Sequence, residues 1–443
     1  MRVALISPKG PLYRSRGGIF RKSLRYQPLT LTTLASLAPP ELEVRFQLLD
    51  EGTAELPLDL DVDLVGMTVI TGSAPRAYEL AAQYRRRGIK VVLGGPHVTL
   101  MPDEAALHAD AICTGYAEQT WPSLLRDFAR GALRSRYAQS PDLDLAGLPF
   151  PRRELLDKRD YLTQAVFEAT RSCAHDCEFC VAPSAWGRKQ LQKPVEDVVA
   201  DIRQFGARRL IFIDLNLISD RRYARDLFTA LVPLKVKWFG LSTSLIGRDR
   251  DLMELMARSG CSGLLIGFET VNDAGLAELH KGFNDPALYR ELVGDLHRLR
   301  ISIQGCFVFG NDHDDTSVFA RTAEFVNDVA IDLPRFAILT PFPGTPLHRR
   351  FESEGRILTR NWELYDGQHV VHRPRLMSPR QLQEGHESAW KAVYSRRAIV
   401  RRLAKARVQL PLSIAANLGY RFYAHHLHTH YNCDWPLVGK DAR

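Results

Sequence analysis

The chain has 443 residues, more than one hydrophobic core usually serves, so its length predicts two domains and a tail. Its hydrophobic content of 45% is ordinary for a globular protein, and no run approaches the roughly 18 apolar residues of a membrane span. The net charge is +8, and residues 377–443 carry +7 of it, so the basic character is confined to the tail.

The seven cysteines are an odd number scattered along a long chain, which argues against a disulfide framework and for a reducing compartment. The first residues, MRVALISPKG, read as a strand because they lack the apolar region of a secretory signal. We therefore expect a cytoplasmic protein. Four cysteines lie outside any motif and are expected to be buried or free thiols: Cys113, Cys261, Cys306 and Cys433.

The first 150 residues alternate short β-rich runs with helical patterns. This alternation predicts a doubly wound parallel sheet, in which ligands bind at the carboxyl ends of the strands. The predicted strands are 3–6, 44–49, 64–69, 91–93 and 111–114, and the predicted helices are 29–37, 77–87 and 121–129.

Three loops follow predicted strands of this sheet and carry residues suited to ligand contact. Glycines in these loops would let the backbone approach a ligand closely. The alternative is a set of glycine-rich turns that bind nothing. The candidate residues are Thr71, Ser73, Gly94, Gly95, His97 and Glu118.

A proline-containing linker at 139–153 separates this region from a second series of strands. Crossovers of helix length between these strands predict an open parallel barrel, whose chemistry lies at the C-terminal ends of the strands. The predicted barrel strands are 165–169, 209–214, 238–242, 263–269, 302–310 and 336–340.

The loop after the first barrel strand, RSCAHDCEFC, holds Cys173, Cys177 and Cys180 in a CxxxCxxC spacing. Cysteine sulfur is the ligand that iron–sulfur clusters take, and three cysteines leave one iron of a [4Fe–4S] cluster open to a small molecule. A structural zinc loop is the alternative, but zinc sites close with four ligands and no second cysteine pair exists here. The spacing therefore predicts a [4Fe–4S] cluster at a reaction site.

The CxxxCxxC motif resembles the signature of radical SAM enzymes. The resemblance implies that the amino and carboxylate groups of S-adenosylmethionine (SAM) chelate the free iron, and that Phe179 lies beside the adenine. It also implies SAM contacts at the ends of the later strands, although polar residues there are equally suited to cap helices. These residues are Asp214, Asn216, Ser242, Glu269 and Gly310.

The segments GGPHVT and CTGYAEQTW of the first region resemble the cobalamin-binding domain of B12-dependent radical SAM enzymes. The resemblance implies that Thr71 and Ser73 lie near the corrinoid, that the loop Gly94–His97 lets the nucleotide tail pass, and that Glu118 borders the pocket. The DxHxxG motif, which supplies a lower axial ligand of cobalt in other cobalamin proteins, is absent, so the lower face stays open to another group.

The segments FVFGNDHDD, AILTPFPGTPL and EGRILTRNWELYDGQHVV resemble the subgroup that acts on hopanoids, chlorophyll-type pigments and other natural products. This implies a methyl transfer from methylcobalamin to a substrate carbon, started by a 5′-deoxyadenosyl radical. The substrate is then a small or lipidic molecule, and a flavodoxin or ferredoxin supplies the electron. No general base is assigned, because acid–base catalysis is too weak to break an unactivated C–H bond.

Three alternatives stay open at this point. Some members of the family use the radical for cyclisation or oxidation. The basic tail is also compatible with RNA binding and a tRNA-modifying enzyme, but the tRNA methylthiotransferases carry three cluster cysteines in their front domain and this chain has only Cys113 there, so nucleic acid is not expected. A non-catalytic iron–sulfur sensor would not need an open iron.

The tail contains a basic amphipathic pattern at 391–407, followed by the apolar stretch LPLSIAANLGYRFY. Such a helix can lie on an anionic membrane, which would bring a cytoplasmic protein to the inner membrane, or it can pack on the barrel with a solvated basic face. The later HHLHTHYNC segment is His-rich, but we expect a solvated cluster rather than a metal site.

Together these patterns predict an α/β protein with three regions: a Rossmann-like cobalamin-binding domain at 1–145, a partial (β/α)6 radical SAM barrel at 155–375 and a basic helical region at 376–443.

Overall fold

A computed structural model describes residues 1–10, 26–57, 59–140 and 142–432 of the chain. The sequence-based expectations for Cys433 lie outside these residues. Two parallel six-stranded sheets and a set of C-terminal helices make up the described structure.

The first sheet has the strand order β2-β1-β3-β4-β5-β6, and all its pairs are parallel. Strand β1 is buried from Val3 to Ile6, as expected for a parallel strand covered by helices on both faces. The order reverses between β1 and β3, which is where doubly wound sheets bind ligands. The strands are β1 (Arg2–Ser7), β2 (Arg45–Asp50), β3 (Leu64–Thr68), β4 (Lys90–Gly94), β5 (Ala111–Thr114) and β6 (Arg136–Ala138).

The helices of this domain pack on the two faces of the sheet, where they form two separate apolar clusters. Trp121 joins the cluster on one face and Tyr84 the cluster on the other. The helices are α1 (Leu29–Ser36), α2 (Ala74–Arg86), α3 (Pro96–Leu100), α4 (Pro102–Ala106) and α5 (Thr120–Ala129).

The second sheet forms a partial barrel with the strand order β14-β13-β12-β11-β10-β7, again with all pairs parallel. The sheet does not close, so β7 and β14 are its two edges. The strands are β7 (Val166–Phe167), β10 (Arg209–Phe212), β11 (Lys237–Ser242), β12 (Cys261–Glu269), β13 (Ser302–Phe309) and β14 (Leu333–Ile338), and a small antiparallel pair, β8 (Thr170–Arg171) and β9 (Leu191–Gln192), flanks the cysteine loop.

Amphipathic helices cover the outer face of the barrel and meet the strands in one large apolar cluster. Several begin at a side-chain cap; Asp220, for example, accepts hydrogen bonds from the first backbone N–H groups of its helix. The helices are α6 (Val181–Trp186), α7 (Val195–Phe205), α8 (Arg221–Leu231), α9 (Arg250–Arg258), α10 (Asp273–Glu278), α11 (Tyr289–Arg298), α12 (Val318–Val329) and α13 (Pro346–Ser353).

The segment after α13 returns to the first domain and joins its apolar core. Trp362, Leu364, Tyr365 and Val371 pack in the same cluster as the strands of the first sheet. The indole N–H of Trp362 also donates a hydrogen bond of 3.0 Å to Glu104. The two sheets are therefore joined by shared packing, in addition to the linker.

The tail forms three helices, α14 (Pro379–Val393), α15 (Arg396–Ala406) and α16 (Leu410–His426), followed by a π-helical turn at Leu427–Tyr431. Helix α14 covers the open edge of β14: Trp390 donates a hydrogen bond to the carbonyl oxygen of Phe336 and Tyr394 to that of Pro334. These contacts satisfy carbonyl groups that an edge strand would otherwise expose.

Helix α15 packs against the barrel through its apolar face, and the side chain of Arg402 is fully buried, with a hydrogen bond of 2.9 Å to Asn417. The expectation of a helix packed on the barrel is confirmed for this element. Among the described residues, no helix has both the length and the hydrophobicity that crossing a membrane requires.

The expected fold class is confirmed, and the domain boundaries stay a prediction. Two details differ from the sequence pattern. Strand β14 begins at Leu333 rather than 336, because Pro334 breaks the strand pattern but is tolerated on an edge strand. Strand β6 was not predicted, since three residues carry too little pattern.

Candidate functional site

The carboxyl ends of the two sheets face each other across a cavity of about 300 Å³. The first domain contributes apolar side chains and glycines from β1, β3, β4, β5 and helices α1 and α5. The barrel contributes Thr170, Arg171 and Ser172 of the segment before the cysteines, together with Ile213 and Leu215. The cavity thus extends from the interior of the first domain to the start of the cysteine loop.

Glycines create the space on the side of the first domain. A Cβ atom at Gly95, which has a φ of +103°, would lie 2.8 Å from the backbone N and O atoms of Val69. A Cβ atom at Gly66 would lie 3.0 Å from Leu5 and 3.2 Å from Trp121. Gly94 and Gly95 both line the cavity, as expected from their position after β4.

Glu118 lies on the cavity wall and connects the two domains. One of its carboxylate oxygens forms an ion pair with Arg171, whose Nε also bonds Glu168 at 2.7 Å. The other oxygen, Oε2, is buried and has no hydrogen-bond partner among the described residues. Glu118 and Glu168 raise the pKa of Arg171 against the opposing effect of burial, so the guanidinium stays charged. An acceptor oxygen is therefore left for a ligand at the mouth of the cavity.

Thr71, Ser73 and His97 do not belong to the cavity lining. Ser73 bonds within its own turn, to the backbone of Ile70. The ring of His97 is fully buried and lies 3.3 Å from Thr71 Oγ1 and 3.3 Å from Glu104. These side chains stabilise the domain, and their predicted cobalamin contacts gain no support from the geometry.

The three cysteine thiols of the CxxxCxxC loop are free and lie close enough to influence one another electrostatically. Burial raises the pKa of the Cys177 thiol to about 12, Lys281 opposes this, and the other two thiols raise it further. The backbone N–H of Cys180 donates a hydrogen bond of 3.1 Å to the carbonyl of Cys177, which folds the loop back on itself.

Arg350 of α13 holds this loop from outside. Its guanidinium donates hydrogen bonds of 2.8 and 2.9 Å to Glu178, which lies between two of the cysteines, and further bonds to Glu278 and Asp312. Arg356 also pairs with Asp312. The result is a network of charges that ties the cysteine loop to the ends of β12 and β13.

Glu269 ends β12 in a strained conformation beside the cysteine loop. Its φ is +64°, rare for a residue with a side chain, and the strand pairing shifts register between Gly267 and Glu269. Its carboxylate pairs with the buried ammonium of Lys281. Burial disfavours the charge on Lys281, but Glu269 and the Cys177 thiol together raise its pKa. Both charged groups therefore lie close enough to interact electrostatically with the Cys177 thiol.

The carboxylate of Asp214 binds the segment that precedes the cysteine loop. Its carboxylate accepts hydrogen bonds from the N–H of Ala169 at 3.0 Å and from the hydroxyl of Thr170 at 2.8 Å. Burial, and then the charge of Glu168, raise the pKa of Asp214 to about 7. The structure thus gives Asp214 a role in shaping the segment that leads to the cysteines, and its predicted contact with SAM stays a prediction.

The other predicted SAM residues also lie near the ends of the barrel strands. Asn216 accepts a hydrogen bond from its own turn, and the hydroxyl of Ser242 bonds the next carbonyl. Gly310 has a φ of +99°, and a Cβ atom there would lie 2.7 Å from Leu382. Phe179 packs against an apolar cluster below the loop. Their roles toward SAM stay predictions.

The residues present fit the expected cofactors. Three free thiols on one loop are the donor set of a cluster with one open iron. No three His, Cys, Asp or Glu side chains of the described chain converge on a single ion, but a cube binds each cysteine at a different iron and does not need this. The glycine-lined cavity with its unpartnered carboxylate oxygen fits a large ligand with hydrogen-bond donors, as cobalamin is.

Comparison with known proteins gives the class of the chain. Residues 42–125 match the family model for the B12 binding domain, and residues 167–322 match the model for the radical SAM superfamily. The fold resembles the structure of the radical S-adenosylmethionine methyltransferase TsrM from Kitasatospora setae with cobalamin and a [4Fe–4S] cluster bound. The TM-score is 0.66 at 17% identity, over 87% of this chain and 84% of that one.

Two curated relatives narrow the class of the chain to a family. The bacteriochlorophyllide d C-12(1)-methyltransferase of Chlorobaculum tepidum is 32% identical over 85% of this chain and 84% of its own length. The hopanoid C-2 methylase of Rhodopseudomonas palustris is 26% identical over 75% of this chain and 65% of its own. The chain belongs to the cobalamin-dependent radical SAM methyltransferases. It is an enzyme whose cofactors are a [4Fe–4S] cluster, SAM and cobalamin.

Three functional side chains were not found from the sequence. Lys281 and Arg350 lie in segments whose periodicity marks nothing unusual. Glu269 pairs with Lys281 from the end of β12, and Glu178 pairs with Arg350 from a position 172 residues away. Arg171 stands next to the cysteine motif, but its pairing with Glu118 depends on how the domains dock. Only the docked structure brings these charges together.

Proposed function

We propose that this enzyme transfers a methyl group to an unactivated carbon of a small, largely apolar metabolite. The observation that carries the proposal is the continuous cavity from the glycine loops of the first domain to Arg171 beside the cysteines. When bound, methylcobalamin supplies the methyl group, and the cluster with SAM supplies the radical that activates the substrate. Both reagents would then act on one substrate in one space.

The chain itself positions and shields the reactants. In this proposal Cys173, Cys177 and Cys180 hold the cluster, while Gly94, Gly95 and Glu118 hold the cobalamin. Leucines of α1 and the rings of Trp121 and Trp186 line the cavity and keep water out. Its charged lining residues are Glu118, Glu168 and Arg171, and both carboxylates form ion pairs with Arg171.

The relatives support an apolar substrate. Their names assign them bacteriochlorophyllide d and hopanoids, a tetrapyrrole and a polycyclic triterpenoid, which share a large, mainly apolar ring framework. A carbon in such a framework lacks acidic protons, which is the situation that calls for radical chemistry. We propose a substrate of this type, with the carbon to be methylated facing the cavity.

The test uses the full chain, reconstituted anaerobically with iron, sulfide and methylcobalamin. Bacteriochlorophyllide d is offered with SAM and a flavodoxin, and methylated product and deoxyadenosine are measured by mass spectrometry. Product that depends on methylcobalamin supports the proposal. Deoxyadenosine with a cyclised or oxidised product would instead favour the cyclase alternative, and no deoxyadenosine from any substrate would refute both.

Two glycine variants test the cobalamin site. Gly95→Ala places a Cβ atom 2.8 Å from the backbone of Val69 and should abolish retention of corrinoid, with the iron content unchanged. Gly131→Ala is the matched control, because Gly131 also has a positive φ but no atom lies within 4 Å of its Cβ position. Equal retention of corrinoid by both variants would contradict the assignment.

The electron donor is proposed on chemical grounds. Reduction of a [4Fe–4S] cluster needs one electron at low potential, which flavodoxins and ferredoxins carry. The expected result is deoxyadenosine formation with reduced flavodoxin.

We propose that the enzyme is cytoplasmic and that α16 rests on the inner membrane. Large apolar side chains recur every four residues on its outer face and are exposed: Leu410, Ile414, Leu418 and Phe422. Residues 388–432 contain no Asp or Glu, and Arg396 and Arg397 of the neighbouring helix are exposed. An apolar stripe beside cations is the pattern of an interfacial helix.

Sedimentation with vesicles tests this contact. Vesicles that contain phosphatidylglycerol should bind the protein, and Ile414→Asp with Leu418→Asp should weaken the binding at least tenfold. Leu107→Asp is the control, because Leu107 is an exposed leucine of the first domain. Equal binding of both variants, or concentration-dependent dimers that bury the stripe, would refute the membrane contact.

A further inference from the structure

Arg335 lies on the inner face of the barrel, on its edge strand β14. Its neighbour Phe336 packs outward against Trp390, and side chains alternate along a strand, so Arg335 faces inward. Strand pairing places Arg335 opposite Cys306 on β13, and Cys306 opposite Gly267 on β12. These three residues form one row across the inner face.

The guanidinium of Arg335 has no hydrogen bond or ion pair with any described residue, and the side chain keeps solvent-accessible surface. The ionisable groups around it are the phenols of Tyr394, Tyr420 and Tyr423 and the thiol of Cys306, none of which is a carboxylate. The hydroxyl of Tyr420 accepts a hydrogen bond of 2.8 Å from Gln304, so its own proton is free to be donated. The side chain of Arg335 is exposed, so its N–H donors, which have no acceptor among the described residues, are accessible to a ligand that carries an anion.

The row leads to the reaction site. The thiol of Cys306 interacts electrostatically with both Glu269 and Lys281, and Lys281 interacts in turn with Cys177. Because the side chain of Arg335 is exposed, a molecule can reach its guanidinium from solvent. A ligand held at Arg335 can therefore extend toward the cysteine loop.

We propose that Arg335 and the Tyr420 hydroxyl bind an oxyanion, a carboxylate or a phosphate group, of the substrate. A planar guanidinium offers two parallel N–H donors that match the two oxygens of such a group. The anchor would fix an otherwise apolar molecule, so that one carbon is presented to the radical. This proposal rests on the proposed function, because it assigns a polar group to the substrate of the same site.

The experiment measures modification of arginine by phenylglyoxal on the full-length reconstituted protein, with peptide mass spectrometry as the readout. Propionate and inorganic phosphate are the probes, and sodium chloride at equal ionic strength is the reference. At 20 mM, a probe that binds with a Kd of about 5 mM should slow the modification of Arg335 about fivefold. Arg222, which is exposed on α8, is the control and should not be slowed.

Each outcome decides the proposal. Protection by propionate alone assigns a carboxylate, protection by phosphate alone assigns a phosphate, and loss of protection in Tyr420→Phe supports the hydroxyl contact. Equal rates with probe and chloride, or an Arg335 that does not react at all, would overturn it.

A variant separates this proposal from the proposed function. Arg335→Met should leave substrate-free deoxyadenosine formation and corrinoid content unchanged and should raise the KM for a carboxylate-bearing substrate more than tenfold. Arg335→Lys should recover part of that loss. An unchanged KM in an active enzyme would refute the anchor alone, whereas absent methylation in the unaltered enzyme would refute the proposed function.

Discussion

Lys281 and Glu269 form a buried ion pair whose members depend on each other. Gly267 is needed beside them, because a Cβ atom there would lie 2.3 Å from the Glu269 carboxylate. The carbonyl of Phe268 accepts hydrogen bonds from Asn284 and Tyr289, and these contacts hold the strained turn. Backbone strain of this kind persists only where the surroundings impose it, which is typical of functional sites.

We predict that Lys281→Met lowers the free energy of unfolding by about 3–5 kcal/mol, because it leaves the Glu269 carboxylate buried without a partner. The double variant Glu269→Gln with Lys281→Met should recover more than about 1 kcal/mol of this loss. Denaturant unfolding of the wild type, the two single variants and the double variant gives the four free energies of this double-mutant cycle. Strictly additive losses would show that the two side chains do not interact.

His372 makes a contribution to the stability of the protein that depends on pH. It is fully buried and donates a hydrogen bond of 3.1 Å to the carbonyl of Gly310. Burial is the main cause that lowers the pKa of His372 to about 4. The pKa of His372 is lower in the folded protein than in the unfolded chain, so the unfolded chain binds the proton first as the pH falls. The contribution to stability is thus present above about pH 6.5 and is lost toward pH 4.

We predict that the wild-type protein loses about 1.5 kcal/mol more stability than His372→Gln between pH 6.5 and pH 5, because the limiting slope is about 1.36 kcal/mol per pH unit and the unfolded histidine is already half protonated at pH 6.5. Glutamine keeps a donor for Gly310 but does not titrate in this range. Denaturant midpoints at the two pH values give the comparison. Parallel losses in both proteins would show that His372 does not carry this dependence.

At the scale of elements, the cysteine loop is held by its neighbours rather than by its own sequence. Helix α13 contributes Arg350, and the backbone N–H of Leu347 in the same helix donates to the carbonyl of Glu178 at 3.1 Å. On the other side, Asp214 holds the segment before the loop. A loop that must expose an open iron cannot be closed by a fourth cysteine, so this external support maintains its shape.

We predict that Arg350→Met reduces the iron content of the reconstituted protein severalfold and lowers stability by about 2–4 kcal/mol, because three acidic side chains lose a shared partner. Arg349→Met is the matched control: Arg349 is exposed on the same helix, and its loss should cost less than about 0.5 kcal/mol. Iron and sulfide analysis after desalting makes the measurement. Full iron occupancy in Arg350→Met would contradict a supporting role.

At the scale of the whole molecule, the contact between the two domains depends on Trp362, where the chain returns to the first domain. We predict that Trp362→Ala lowers stability by about 3–5 kcal/mol and releases corrinoid without loss of iron, because it opens the contact between the domains. Trp362→Phe keeps an aromatic ring but loses part of the buried volume and the hydrogen bond to Glu104, at a cost of about 1–3 kcal/mol. Measuring both corrinoid and iron retained on a desalting column distinguishes the two variants. A loss of both cofactors would point to general unfolding.

Much of the fold could be predicted because its signals are local. Alternating apolar runs and helical patterns specify parallel sheets, and the pattern placed five of the six strands of the first sheet. The cysteine loop could also be predicted from the sequence, since its three cysteines lie within eight residues. The start of β14 could not be predicted, because Pro334 breaks the sequence pattern of a strand but is tolerated on an edge strand.

The sequence by itself determined the order of the two domains, the cysteine loop and the glycines of the cavity, because each depends on residues close together in the chain. Only the tertiary structure decided which charges meet: Glu118 with Arg171, Glu269 with Lys281, and Arg350 with Glu178. It also left the Arg335 guanidinium, on the inner face of the barrel, without a hydrogen bond or ion pair to any residue that the structure describes. Electrostatic contacts depend on distance in space, and residues separated by up to 172 positions meet only when the sheets have formed and docked.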